Sequence, residues 1–281
     1  MAVEFTAHNI RLDDGTFTKP DIGYSMEAYP RFVSARRILE TVFPGDKQDL
    51  RLADLGCLEG GYAVEFARMG FQVLGIEVRD DNIAACTYVK SKVNLPHLKF
   101  AKDNAWNISK YGVFDVVFCC GLLYHLDRPK QFLETLASVT TKLIILQTHF
   151  STDSSDWRSR IPTLMRKVLA KVTKNQHPID RYNLSQIGYN EGLAGRWRTE
   201  FADDRSFNKR ETAKWSSWNN RRSFWIQREY LLQTIKDVGF DLVMEQFDSL
   251  GPDLAENMLH GYYRIHDRGT FIGIKAQNRN E

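Results

Sequence analysis

The stretch LADLGCLEGGYAVEFARMGFQVLGIEV, residues 52–78, decides the fold. It opens as a short apolar strand and breaks into a turn with glycines at 56, 60 and 61. It then runs on with apolar residues at helical spacing and ends in a second strand at Glu77 and Val78. That is one strand-helix-strand unit in 27 residues. In open sheets built from such units, ligands bind where the strands end, and glycine in the first turn lets them approach the backbone. Yet this turn carries two acids, Asp54 and Glu59, which a phosphate-binding loop would avoid.

The same alternation continues on both sides. RFVSARRILETVF (31–43) has helical apolar spacing and stops before Pro44 and Gly45, which predicts a leading helix. RLADLG (51–56) and FQVLGIEV (71–78) are expected strands around the helix GYAVEFARMG (61–70), followed by the helix NIAACTYVKSKV (82–93) and the strand LKFAKD (98–103). FDVVFCCGLL (114–123) is apolar nearly throughout, as suits a central parallel strand buried on both faces. PKQFLETLASV (129–139) reads as a helix and KLIILQTHF (142–150) as the fifth strand. Much later REYLLQTIKDVGF (228–240) reads as a helix stopped at Gly239, before the strands DLVMEQFDS (241–249) and GTFIGIKAQ (269–277). Seven strands with interleaved helices predict an α/β fold with a doubly wound, mostly parallel sheet. The final two strands are expected to pair antiparallel at one edge.

Composition fits a soluble globular chain: of 281 residues, 43% are hydrophobic and 26% charged. No apolar run approaches the roughly 20 residues of a membrane span. The amino terminus MAVEFTAHNIRLDDG lacks a basic flank followed by an apolar core, so no secretory signal is expected and a cytoplasmic location is the default. Cys57, Cys86, Cys119 and Cys120 sit in or beside apolar segments without metal-ligand spacing and read as reduced core thiols.

The net charge of +3 hides an asymmetry. Residues 151–230 hold 16 Lys and Arg against 9 Asp and Glu, and five of the six tryptophans: Trp157, Trp197, Trp215, Trp218 and Trp225. This block interrupts the strand-helix rhythm between the fifth strand and the next helix, so it reads as an insertion. Expected boundaries are a helical lead-in over 1–47, a nucleotide-type core over 48–150, the basic insertion over 151–226 and the rest of the core over 227–281.

Two acids on the first turn disfavour the pyrophosphate of a dinucleotide and favour a cationic ligand. Glu77 stands 21 residues after Gly56, where an acid can accept both hydroxyls of a ribose. S-adenosylmethionine, with its amino group, its sulfonium and an adenosine half, fits this description. At these residues the chain resembles the class I S-adenosylmethionine-dependent methyltransferases, over roughly 48–150 and again from 227 to the end. The resemblance rests on LADLGCLEGG (52–61), GIEV (75–78), AKDNAW (101–106) and FDVVFCCGLLYHLDRP (114–129), in that order. It implies that Asp54, Gly56, Cys57 and Gly60 shape the methionine site and that Glu77, with Val78 beside it, holds the ribose. Asp103, Asn104 and Ala105 would border the adenine, and Gly121 would begin the stretch beneath the methionine moiety. Leu58 departs from the family pattern, which commonly has glycine there.

Methyl transfer from a sulfonium needs alignment and exclusion of water more than acid-base chemistry. If the acceptor must lose a proton, His125 in LLYHLDRP is the expected base, with Tyr124 and His149 as further candidates at strand ends. No carboxylate-histidine cluster suggests a metal. The insertion begins with an amphipathic helix candidate, DWRSRIPTLMRKVLAKV (156–172), and is expected to be a lid. Its aromatic and arginine-rich runs GYNEGLAGRWRTEF (188–201) and KWSSWNNRRSFW (214–225) suit a small polar acceptor such as a sugar, a glycan precursor or a specialised metabolite, methylated on oxygen. Trp197, Arg221, Arg222 and Trp225 are its expected contacts. Two alternatives stand beside this reading. LLYHLDRP also resembles bacterial enzymes that alkylate wobble uridine in tRNA, and a cofactor-binding protein without catalysis is the third possibility.

Overall fold

The computed structural model describes residues 3–152, 184–248 and 267–276. Seven strands form the main sheet: β1 (Arg51–Leu55), β2 (Gln72–Glu77), β3 (Leu98–Lys102), β4 (Phe114–Cys120), β5 (Thr140–His149), β9 (Leu242–Gln246) and β10 (Arg268–Ile274). Their order is β3-β2-β1-β4-β5-β10-β9. The first five run parallel, and β10 lies antiparallel to both β5 and β9. The last two strands therefore pair as their sequence suggests, but the final strand is internal and β9 is the edge. Strand order reverses between β1 and β4, so the open end of this pair is where a ligand crevice belongs.

Alternation along the strands divides the core between two faces. Leu52, Val116, Phe118, Leu143 and Ile145 face one side, against α1 (Pro30–Val42), α2 (Gly61–Arg68) and α3 (Asp80–Lys92). Ala53, Leu55, Val117, Cys119, Ile144 and Leu146 face the other, with α4 (Pro129–Val139) and the late helix Arg228–Asp237. Both faces of β4 are buried, which explains why its sequence is apolar without alternation.

Between β5 and the late helix the insertion builds its own three-stranded antiparallel sheet: β6 (Leu184–Asn190), β7 (Leu193–Thr199) and β8 (Arg222–Ile226). Glu191 and Gly192 connect β6 to β7, with φ of 52° and 80°. A two-residue turn with both φ positive matches the twist of a hairpin, and Asn-Xaa-Gly composition suits it. Thus GYNEGLAGRWRT is a hairpin, a structural role that the sequence reading had not given it. A one-turn helix, α5 (Asp204–Phe207), is capped by Asp203, which accepts from Ser206 N at 2.7 Å. The late helix Arg228–Asp237 is accordingly α6. The amphipathic segment 156–172 and Trp157 lie outside the described residues. Among the described residues no helix is long and apolar enough to cross a membrane.

Candidate active site

A cleft opens at the carboxyl ends of β1, β2 and β4, roofed by residues 214–219 of the insertion. Its floor begins in the first turn. Gly56 N and Cys57 N both donate to Ile76 O, at 2.9 and 3.2 Å, tying β1's exit to β2. Gly60, with φ 81°, caps α2; a Cβ there would stand 2.6 Å from the Phe100 ring. Leu58 occupies left-handed backbone at φ 52°, the conformation glycine usually supplies. Its N–H donates to Glu77 Oε2 at 3.0 Å, which holds the turn in place despite the side chain.

The two acids of this turn face opposite ways. Glu59 is buried and turned from the cleft: its carboxylate accepts from Thr6 N, Thr6 Oγ1, Ala7 N and His8 N. Burial pushes its pKa up, but those hydrogen bonds and His8 outweigh it and leave the carboxyl below its usual range. The expectation that two carboxylates together repel a phosphate is therefore corrected; Glu59 fastens the amino-terminal segment instead. Asp54 is the acid left on the cleft. It is 1% exposed, and its Oδ2 has no hydrogen-bond partner among the described residues. Burial, offset by a backbone bond from Ala63 and reinforced by Glu77, pushes its pKa up to about 8. An unpartnered buried carboxylate calls for a cation.

Glu77 ends β2, buried, with Oε1 accepting from Val78 N and Arg79 N and Oε2 from Leu58 N. A carboxylate has about four acceptor sites, so these three leave room for one ligand hydroxyl in a fixed orientation. Asp103 lines the cleft but is held by its own loop, through Asn104 N, Asn107 Nδ2 and Tyr111 Oη. The Asn107 bond is the largest of several influences that hold its carboxyl below the usual range. Asn104 caps the following turn by accepting from Trp106 N at 3.1 Å. That turn brings Ala105 and Trp106 to the wall, and Trp106 is a flat surface the sequence reading had not singled out. Of the other cofactor candidates, Gly56, Val78 and Gly121 line the cleft; Cys57 and Gly60 stand behind it as parts of the turn.

Tyr124 and His125 come from a short turn (Leu123–His125) after β4, and both line the cleft. His125 is buried, and its Nδ1 lies 3.0 Å from Glu200 Oε1. Glu200 has a fully buried side chain that also accepts from Arg198, Ser223 Oγ and Ser217 N. Burial pushes the His125 pKa down while Glu200 partly restores it, and the net direction is down. Burial alone would push Glu200 up, yet His125, Arg198 and Ser223 hold it below its usual range. An ionised Glu200 accepts the Nδ1 proton and leaves the Nε2 lone pair free to act. Tyr124 is a phenol pushed further up by burial, so it is a poor base. His149 does not line the cleft: it stacks on Trp225 at 4.6 Å and meets the edge of Tyr124.

The four expected acceptor contacts of the insertion also stand outside the cleft wall. Trp225 is buried, donating from Nε1 to Tyr124 O. Trp197 packs on Phe224 with the Arg222 guanidinium 4.7 Å from its ring, and Arg221 pairs with Asp204 at 2.8 Å. Strand alternation and the fold of the three-stranded sheet turn these side chains into the subdomain's own packing. The wall instead comes from the loop 214–219, including Trp215 and Trp218. Arg79 anchors that loop, donating to Arg210 O, Ala213 O and Ser216 O at 3.3, 3.0 and 2.7 Å. Tyr29 and Arg31, before and at the start of α1, and Arg268, at the start of β10, complete the far side. No local pattern marked these residues; they meet only when distant segments fold together. Among the described residues, no group of three or more His, Cys, Asp and Glu side chains is placed to hold a metal.

A protein-family model described as "Methyltransferase domain" matches residues 28–245. The chain belongs to this family. Curated relatives of this methyltransferase-domain protein include the ubiquinone biosynthesis O-methyltransferase of Rickettsia canadensis, 28% identical over 91 residues. That match covers 32% of this chain and 38% of the relative. The chain therefore spans well under half the length of that relative. Solved structures with the same fold include the N-terminal domain of EvdMO1 with SAH bound, with a TM-score of 0.63, 18% identity, and coverage of 98% of this chain and 93% of that one. The same domain in the presence of SAH and D-fucose gives a TM-score of 0.60 at 19% identity over 89% of this chain and 84% of that one. At these identities the likeness shows the fold.

Proposed function

We propose that this methyltransferase-domain protein binds S-adenosylmethionine in the cleft and methylates an oxygen of a small polar acceptor, such as a sugar, a glycan precursor or a specialised metabolite. The observation that carries the cofactor is Asp54, whose buried Oδ2 lacks a partner in the same cleft as Glu77 and the Asn104–Trp106 wall. An ammonium satisfies Asp54, a ribose hydroxyl completes Glu77, and an adenine ring lies against Ala105 and Trp106. A pyrophosphate has no such fit with Asp54.

When bound, S-adenosylmethionine supplies the methyl group on a sulfonium that leaves as a neutral thioether. The chain's own part is to bind, align and dry the site. His125 Nε2 takes the acceptor hydroxyl's proton as the oxygen attacks, and Glu200, through Nδ1, fixes the tautomer and steadies the charged imidazole. Residues 209–219 exclude water from above, held by Arg79, which supports reading the insertion as a lid on the 48–150 core. Two basic side chains of the insertion, Arg221 and Arg222, are engaged with Asp204 and Trp197, which weighs against the tRNA alternative. The oriented His125–Glu200 pair weighs against a non-catalytic role.

Calorimetric titration tests the cofactor: S-adenosylhomocysteine should bind and NAD should not. Heat with NAD and none with S-adenosylhomocysteine would overturn the proposal.

A further inference from the structure

Resting on the function proposed above, we infer that Arg268 is an acceptor-recognition residue and that the acceptor carries a carboxylate beside the hydroxyl it presents to His125. Arg268 opens β10, half-buried, and its guanidinium lies 5.4 Å from the Tyr124 ring centre, next to His125 in sequence. Its Nε donates to Gln147 Oε1 at 2.8 Å, which fixes the plane of the fork. Neither terminal nitrogen of Arg268 has a hydrogen-bond partner among the described residues, and Nη2 would stand 3.5 Å from a Cβ at Gly121, on the cleft floor. Gln147 itself is 2% exposed, and its Nε2 has no partner either. A planar guanidinium held by Nε, with its two outer nitrogens unused, matches the two oxygens of a carboxylate.

The cofactor's own carboxylate is the competing claimant, and the experiment below separates the two. Asp54 is in register with Phe118, three residues before Gly121. At about 3.3 Å per residue, the Gly121 backbone beside the fork stands roughly 10 Å along the strand direction from the Asp54 backbone. Arg31, which with Arg268 lines the far side of the cleft, donates to Tyr29 Oη, and Tyr29 packs on Tyr62 of α2, the helix that follows the first turn. Arg268 instead contacts Tyr124, the neighbour of His125 in sequence, as it reaches toward Gly121.

The test measures binding of matched probes to the full chain loaded with S-adenosylhomocysteine. The pairs are 4-hydroxybenzoate against 4-methylphenol and D-glucuronate against D-glucose. At least one carboxylate should bind about tenfold more tightly than its neutral partner, a difference of ~1.4 kcal/mol. Arg268→Gln should abolish that preference while changing S-adenosylhomocysteine affinity less than about threefold. Arg268→Lys, which keeps the charge without the fork, should lose most of it and covers the case in which the glutamine variant fails to fold. Equal binding within both pairs, or no binding of either carboxylate, overturns the inference on the wild-type chain alone. So does a tenfold loss of S-adenosylhomocysteine affinity in Arg268→Gln with 5′-methylthioadenosine unaffected, which would give the fork to the cofactor. If wild type fails to bind S-adenosylhomocysteine, the proposed function falls instead, and the probe pairs are read on the protein alone.

Discussion

His125 Nδ1 and Glu200 Oε1 lie 3.0 Å apart although 75 positions separate them, one residue from the exit of β4 and the other just after β7 of the insertion. The insertion thus supplies a buried partner to a residue of the core as well as roofing the cleft. Glu200→Gln keeps a side-chain acceptor but removes the charge that steadies a protonated imidazole. Turnover should fall by about tenfold or more with little change in acceptor KM, and His125→Ala should cost about 10²-fold. The pH profile separates positioning from mere structure. Burial pushes the His125 pKa below 6.5 and Glu200 opposes it, so removing Glu200's charge should move the acidic limb of kcat to still lower pH. An unmoved limb with unchanged turnover takes both residues out of the mechanism.

Asp54 gives a second, thermodynamic signature. Burial raises its pKa to about 8, so the fold favours its protonated form: this contribution to stability is complete below 3.8 and is lost as pH rises through about 8. A cationic amino group at Oδ2 reverses the preference. Binding of S-adenosylhomocysteine at pH 7 should release a proton from Asp54, and affinity should climb with pH by up to about tenfold per unit below 8. Calorimetry in phosphate and Tris, whose ionisation heats differ, reads the proton count directly. Asp54→Asn should abolish the release and weaken binding; a release that persists in this variant assigns the proton to another group.

The parallel sheet and the first turn were legible because their causes are local. β4 is apolar without alternation since both its faces are covered, and the glycines at 56, 60 and 61 sit where backbone must bend or be approached. Glu59 misled because an acid on a ligand-facing turn and an acid pointing backward look the same in sequence; only Thr6, Ala7 and His8, over fifty positions away, decide its direction. Glu200 was legible only as a charge interrupting a basic run. Its role depends on β7 and β8 folding back over the turn after β4, which no period of 2 or 3.6 encodes. Trp197 and Trp225 have the composition of a ligand wall, but they meet Phe224 and His149 before any ligand.

The amino-terminal segment carries a pH-dependent anchor. His8 Nδ1 accepts the Gly61 N–H at 3.0 Å, which needs a neutral ring, and burial lowers its pKa to about 4 against an opposing pull from Glu59. A histidine with a depressed folded pKa stabilises fully above 6.5, and that stability is lost as pH falls toward 4. Glu59, itself held below its usual range, contributes in the same direction as pH falls below 4.5. His8 should therefore subtract on the order of 3 kcal/mol between pH 6.5 and 4, a slope that Asp54 opposes over the same range and that is read as the difference in urea midpoint between the wild type and a non-titrating variant. His8→Gln keeps an acceptor for Gly61 without titrating and should flatten that slope. Identical slopes in the two proteins would remove His8 as the cause.

The last prediction concerns the clasp between core and insertion. Arg79 stands two residues after Glu77, is 7% exposed, and spends its guanidinium on three carbonyls, of Arg210, Ala213 and Ser216. The Trp218 ring lies 5.6 Å from its guanidinium carbon, so one side chain ties the N-cap of α3 to the loop that roofs the cleft. Hydrogen bonds from a charged donor are worth about 1.5–3 kcal/mol each, though bonds to one group do not add. The seven-stranded sheet does not depend on them, since its core lies on the two faces of the strands. Arg79→Ala should therefore loosen residues 209–219 without unfolding the core. Proteolysis at Lys209, Arg210 or Lys214 should accelerate, S-adenosylhomocysteine affinity should fall by roughly tenfold, and thermal unfolding of the core should shift by only a few degrees. Saturating S-adenosylhomocysteine should restore much of the protection, because a ligand that touches the roof favours its closed state. Cleavage at the wild-type rate with unchanged affinity would mean that the roof is held by its other contacts and that Arg79 is not its clasp.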